Sequence, residues 1–406
     1  MSSVHYKTTK PYGTLPPNAQ VQPEPFTLRI PDYEIEELRR LLELAKIGPK
    51  TWENQQNDGR FGVSYNWLAN ARDYWRSKFN WRLIEQHVNS FPNYTISIKD
   101  GHDRDIMMHF TALFSEQPDA APIVLMHGWP GSFMDYLPIL SRLANKYLPA
   151  DLPYHIIVPS IPGYAMSTIP EDSEFTIDDA ARVIHNLMVT LGFGSGYIAQ
   201  GGDIGSVLAL ILAMQYPECK AAHRNPPADD TEGISEDSRE RLNRIKLFLQ
   251  TGYAYSAEHI TRPSTIGFVL SSNPLSLLAW IAEKFLEWSD VSLPLDTILG
   301  SVTLYWFTST FPRGLYPYRT IDPTLIRHHP PPFQKPLGFS SFLMDLIPTP
   351  KSWLDGLSNL VWFRQRNKGA HFPALEQPDE LLQDIEDFIG ECITRNFTVP
   401  ESLATE

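Results

Sequence analysis

The stretch Gly196-Tyr-Ile-Ala-Gln-Gly-Gly-Asp-Ile-Gly-Ser206 constrains the chain more than any other. An apolar piece, Tyr197 to Ala199, runs through small residues into Ile204 to Tyr216, whose composition predicts a helix. One acid, Asp203, stands at the joint, with Gly201 two residues before it and Gly205 two after. That spacing describes a strand-to-helix turn so sharp that only small residues fit beside the one at its apex, which is held out for attack. Such turns usually carry serine. A carboxylate in that place attacks an alkyl carbon rather than a carbonyl.

Strands and helices alternate on either side of this turn. Ile123 to Met126 reads as a short buried strand, followed by a helix near Met134 to Tyr147 and a strand at Ile156 to Val158. Ile177 to Leu191 is helical, with Ala180, Val183, Ile184, Leu187 and Leu191 on one face. The alternation predicts βαβ units and an α/β fold built on a mostly parallel sheet. Upstream, Tyr94 to Lys99 and Asp105 to Phe110 read as a hairpin through Asp100-Gly101. A helix begins at Pro31-Asp32, and Asn66 to Asn89 is an aromatic-rich helical region, broken near Phe79, that serves packing. The polar, proline-rich residues before about Pro25 are expected to be disordered or wrapped on the surface.

The pattern changes from about Asn225. Asp237 to Thr251, Leu275 to Trp288 and Leu295 to Thr310 are helical with no buried strand between them, which predicts a helical cap. Arg327-His-His-Pro-Pro-Pro332 closes it, as a linker rather than a metal site. Short strands resume at Leu337 to Phe342 and Leu360 to Phe363, and Pro378-Asp379 opens a last helix. The division expected is an N-terminal arm or meander over 1–95, a first core part over 96–225, a cap over 226–332 and a second core part over 333–406. A chain of 406 residues is long for one small core, but α/β folds commonly extend one core with insertions.

Charge and cysteine content exclude several classes. Thirty-four basic against 47 acidic residues leave a net charge of −13 with no basic run, against nucleic acid or an anionic membrane as partner. Only Cys219 and Cys392 occur, so there is no disulfide framework and a reducing compartment is expected. No stretch reaches the roughly 18 apolar residues of a membrane span, and the N-terminus lacks an apolar run. A soluble, cytoplasmic protein without a membrane anchor is the expectation. The sequons at Asn93 and Asn396 are read as chance matches.

Each strand after the turn ends in one further candidate. Asp345 lies in the loop after Phe342, and His371 in the loop after Phe363. The order Asp203, Asp345, His371 is the nucleophile–acid–base order of an α/β-hydrolase sheet. A lone histidine is usually structural, but three such residues at strand ends behind one sharp turn point to catalysis. His127-Gly-Trp-Pro-Gly-Ser132 follows the first core strand and can aim the backbone N–H of Trp129 at the same point as that of Ile204, two donors to a developing oxyanion.

These residues carry a resemblance to the microsomal-type epoxide hydrolases of the α/β-hydrolase superfamily, over nearly the whole chain. Its marks are Asp73-Tyr-Trp-Arg-Ser-Lys-Phe-Asn-Trp-Arg82 and Asn89-Ser-Phe-Pro92 in the arm, His127-Gly-Trp-Pro130, Gly201-Gly-Asp203, Thr261-Arg-Pro263 and His371-Phe-Pro-Ala-Leu-Glu376. The resemblance implies two cap tyrosines that hold the epoxide oxygen. By position these are Tyr255, before Thr261-Arg-Pro263, and Tyr318 in Tyr316-Pro-Tyr318-Arg319; the residues alone do not choose them among 17 tyrosines, and Tyr253 and Tyr316 are close neighbours. It also implies a homodimer and an acid position filled here by Asp345. Two departures stand out: Ile204 where many relatives carry Trp, and Ala370 in place of a common Gly.

The expectation is therefore an apolar aryl or alkyl epoxide opened by Asp203, with protons supplied by Tyr255 and Tyr318. His371, oriented by Asp345, then activates water to release a vicinal diol, with no metal or organic cofactor. The rivals are a haloalkane or haloacid dehalogenase, which also uses an acid at this turn but needs N–H donors for halide, and a non-catalytic small-ligand-binding protein on the same scaffold.

Overall fold

The apolar runs come together as one nine-stranded sheet. The protein is described from a computed structural model over residues 10–225, 239–321, 334–346, 351–354 and 359–394. The strands are β1 (Glu24–Phe26), β2 (Asn93–Lys99), β3 (Asp105–Leu113), β4 (Ala121–Met126), β5 (Tyr154–Pro159), β6 (Tyr197–Gly202), β7 (Cys219–Asn225), β8 (Pro336–Phe342) and β9 (Asn359–Arg366). Their order across the sheet is β1-β2-β3-β5-β4-β6-β7-β8-β9. Pairing is antiparallel from β1 to β5 and parallel from β5 to β9. The carboxyl ends of β4, β6, β8 and β9 therefore lie along one edge of the parallel part, where the loops of such sheets carry function.

Buried helices flank the sheet. In α6 (Asp203–Gln215) every residue from Ile204 to Ala213 is buried, as the all-round apolar sequence requires of a helix inside a core. Its neighbour α5 (Ile177–Met188) starts on a capping box in which Thr176 and Asp179 satisfy each other's backbone N–H groups. The helix α4 (Leu137–Lys146) buries Ile139, Leu140 and Leu143 against the other face of the sheet.

The arm forms α1 (Asp32–Leu44), α2 (Tyr65–Ser77) and α3 (Trp81–Val88), broken at Phe79 as the sequence indicates. It is fastened rather than loose. The Trp75 indole donates to Thr303 Oγ1 at 3.0 Å, and the buried Tyr12 hydroxyl donates to the Tyr147 carbonyl. The described residues before Pro25 are thus wrapped on the core.

Between β7 and β8 lie α7 (Arg239–Thr251), α8 (Ala254–Thr261), α9 (Pro263–Ser271), α10 (Pro274–Glu287), α11 (Leu295–Phe307), α12 (Thr310–Arg313) and α13 (Tyr316–Thr320). The sequence patterning does not reveal α8 or α9, nor the strands β1 and β7. The segment Arg327–Pro332 and Asn396 lie outside the described residues. Asn93 is buried in β2, its amide donating to the Val88 and Phe91 carbonyls, so its sequon is not an accessible one. Cys219 and Cys392 are both buried, and neither forms a disulfide. Among the described residues, no single helix is long and apolar enough to cross a membrane.

Candidate active site

Asp203 is displayed by a backbone that few side chains tolerate. It sits at φ 50°, in the left-handed region, as the first residue of α6 directly after β6. The turn fits because its neighbours are bare. A Cβ on Gly205 would strike the Met126 and His127 carbonyl oxygens, and one on Gly128 would strike the Asp203 carboxylate itself. The helix can therefore press on β4, and the loop after β4 can press on the acid.

That loop brings the Trp129 backbone N–H to 2.8 Å from Asp203 Oδ1. Ile204 is the first residue after Asp203 in α6, so its N–H belongs to the group at a helix N-terminus that has no intrahelical partner. His127 fixes the loop: its ring is buried, Nε2 accepts from the Ile161 N–H at 3.2 Å, and burial lowers its pKa to about 4. It is neutral and structural.

His371 and Asp345 arrive from β9 and β8. His371 Nδ1 donates to Asp345 Oδ1 at 3.1 Å, and Asp345 Oδ1 also accepts the Leu346 N–H at 2.7 Å. On its other side, His371 Nε2 lies 3.3 Å from Asp203 Oδ2, close enough to pair in charge but without the alignment of a hydrogen bond. Burial by itself lowers the His371 pKa, yet the two flanking carboxylates outweigh it and raise the value to about 10. The free enzyme therefore holds an imidazolium between two acids at neutral pH.

Tyr255 and Tyr318 lie over this group. Tyr255 stacks on the Trp129 ring at 5.2 Å and 11°, and Tyr318 meets the same ring edge-on at 6.0 Å. The two phenol rings are 6.0 Å apart and nearly perpendicular. Burial first and the Asp203 charge after it raise the pKa of Tyr255; burial, Tyr255 and Asp203 raise that of Tyr318. Both stay protonated as donors. The alternative tyrosines are elsewhere: Tyr253 is 41% exposed, and the Tyr316 hydroxyl donates to the Pro162 carbonyl at 3.0 Å.

The structure also assigns contacts that no spacing revealed. Glu376 accepts the Phe372 N–H at 3.0 Å and the Ala370 N–H at 3.3 Å on one oxygen, and the Asp290 N–H at 2.6 Å on the other. It clamps the loop that carries His371 to the segment following α10. The buried Lys284 ammonium lies 4.6 Å over the Tyr255 ring, and Glu283 pairs with it. Such contacts between distant segments leave no periodic signal. Only the quoted run His371-Phe-Pro-Ala-Leu-Glu376 hinted at the first.

Comparison with known proteins gives the family and the fold. The family described as "Epoxide hydrolase N terminus" matches residues 23–136, and "alpha/beta hydrolase fold" matches residues 121–257. The solved structure of an Aspergillus niger epoxide hydrolase superimposes with a TM-score of 0.88 at 46% identity, covering 94% of this chain and 99% of that one. A relative from Dothistroma septosporum is 41% identical over 393 residues, 93% of this chain and 92% of its own. Epoxide hydrolase 1 of Sus scrofa is 29% identical over 413 residues, 90% of this chain and 88% of its own. By sequence over nearly its full length and by fold, the chain belongs to the epoxide hydrolases.

Proposed function

We propose that Asp203, His371, Asp345, Tyr255 and Tyr318 carry out epoxide hydrolysis in this chain through an ester on Asp203. The observation that carries this reading is the placing of His371 between Asp345 at 3.1 Å and Asp203 at 3.3 Å, with two protonated phenols beside the Trp129 ring. Asp203 Oδ attacks an epoxide carbon and the ring C–O bond breaks. A phenol gives its proton to the departing oxygen, which otherwise leaves as a poor alkoxide. The phenolate is reprotonated at the expense of the imidazolium. Esterification removes one of the two carboxylate charges that hold His371 protonated, so the base is freed when it is needed.

Neutral His371 then takes a proton from water as the water oxygen bonds to the ester carbonyl carbon. The Trp129 and Ile204 N–H groups face the resulting oxyanion, a role worth about 3 kcal/mol per donor in comparable sites. The tetrahedral species collapses, the diol oxygen takes the proton from His371, and Asp203 returns its own to His371. The starting state is restored.

Trp129, Trp288, Tyr255, Tyr318 and Phe311 surround the site with aromatic surface. That supports apolar aryl or alkyl epoxides as substrates. The same reading includes α7–α13 as a cap inserted in the core, the cytoplasm as location and a homodimer as assembly, the last tested by light scattering.

A single turnover of styrene oxide in oxygen-18 water tests the chemistry: label should enter the Asp203 carboxylate and be absent from the diol. Label found directly in the diol would rule out the ester. Dehalogenation is the second reading, because the Trp129 and Trp288 indole N–H groups are buried without partners and a departing halide could use them. Two phenolic proton donors beside the nucleophile favour the epoxide, since a halide needs no proton. Halide release from a chloroalkane separates the two.

A further inference from the structure

A small space lies beside Asp203 and His371. It is bordered by His127, Gly128, Asp135, Asp203, His371 and Ala374, among others, and has about 40 Å³ of room for water. Neither Tyr255 nor Tyr318 borders it, nor does any residue of α7–α13. A water molecule needs roughly 10–15 Å³ of such room and two to four polar partners. The space is large enough for water and too small for a substrate.

Two residues that border it, His371 and Asp135, each carry a fully buried polar atom without a hydrogen-bond partner, Nε2 and Oδ1. Such orphans are rare inside proteins and call for a partner. Asp135 is 7% exposed and stands in the turn Phe133–Tyr136. Its Oδ2 accepts the Ser132 N–H at 3.3 Å and completes a capping box, which accounts for one oxygen and leaves the other without a hydrogen-bond partner in a residue that borders the cavity. Helix capping by itself explains only half of this carboxyl.

We propose that this cavity seats the hydrolytic water and that Asp135 holds it, between Asp135 Oδ1 and His371 Nε2. The proposal rests on the ester mechanism above. One water proton points to His371, which takes it; the other points to Asp135, which only accepts the hydrogen bond. The oxygen lone pair is then left for the Asp203 carbonyl carbon, from the side that the alcohol portion of the ester does not occupy. Burial raises the Asp135 carboxyl to about 7, against the opposing Ser132 N–H and the His371 charge, so it is an acceptor above neutrality.

The two chemical steps separate the proposal from a structural role. Wild type, Asp135→Asn and Ala374→Leu are mixed with styrene oxide at pH about 8, and the Asp203 adduct is followed by mass spectrometry of quenched samples. Asp135→Asn keeps an oxygen for the Ser132 N–H but offers the water a mixed partner. Ala374→Leu fills the cavity and leaves Asp135 and the triad in place. In both, adduct formation should stay within about twofold of wild type while adduct decay slows about tenfold or more. Decay unchanged in either variant overturns the proposal, and so does an equal fall of both steps, the mark of a general distortion. Absence of any adduct in the wild type removes the ester mechanism and this proposal together; an adduct whose decay ignores residue 135 removes this proposal alone.

Discussion

At the residue scale, the site depends on three ionisation states set by their surroundings. Tyr255 and Tyr318 are kept neutral by burial and by the Asp203 charge, and His371 is kept charged by two carboxylates. Replacing both tyrosines by Phe should lower the ring-opening rate about 10²–10⁴-fold, and each single change by less, read by stopped-flow tryptophan fluorescence. Full activity in the double variant would mean that the oxygen finds its proton elsewhere. The His371 shift also bears on stability. A histidine whose pKa rises on folding from 6.5 to about 10 contributes fully below pH 6.5, and that contribution is lost as the pH rises towards 10. The thermal midpoint of the wild type should therefore fall across that window, and His371→Gln should flatten the fall. Equal slopes in the two proteins would contradict the charged resting state.

At the scale of elements, what sequence reveals depends on how a segment earns its burial. The sharp turn at Asp203 is legible because glycine spacing is a local demand of one turn, and Asp345 and His371 are legible as candidates because parallel strands deliver their ends in chain order. The strand β7 is not. Cys219-Lys-Ala-Ala-His-Arg-Asn225 lacks β-branched residues and looks polar, yet it lies between β6 and β8. Its polar groups are met only in three dimensions: Arg224 Nε donates to the Ser206 carbonyl at 2.9 Å, and His223 Nε2 lies 3.1 Å from Ser340 Oγ. The helix α8, which carries Tyr255, spans eight residues with only Ser256 and His259 buried, too few for a periodic pattern. Tyr255 and Tyr318 are therefore indicated by resemblance and not by periodicity. Among loops, the Glu376 clamp makes the strongest prediction. Glu376→Ala leaves three backbone N–H groups without their acceptor, at a cost of about 1–3 kcal/mol for each one that water does not reach. Urea unfolding should register the loss, and kcat should fall because the His371 loop is released.

At the scale of the whole molecule, the core buries several histidines neutral. His109 and His223 are pushed down to about 3 and His127 to about 4, all by loss of solvent. For bases depressed on folding the unfolded chain binds more protons below pH 6.5, so stability is lost as the pH falls from there. The thermal midpoint should drop steeply between about pH 6.5 and 5, and His223→Asn should lessen the slope. A midpoint independent of pH in that range would show that these rings are hydrated.

The Glu376 clamp has a consequence for how such an enzyme is altered. The segment after α10 is bound to the base loop at several points: the Asp290 N–H to Glu376, the Gly369 N–H to Asp290 Oδ2 at 2.9 Å, and the His371 N–H to the Trp288 carbonyl at 3.0 Å. The segment after α10 and the loop that carries His371 are thus held to each other by hydrogen bonds. Substitutions chosen in α10 to admit a bulkier epoxide should therefore also change how long the ester survives. On the proposed mechanism, substrate range and turnover are tuned through the same clamp.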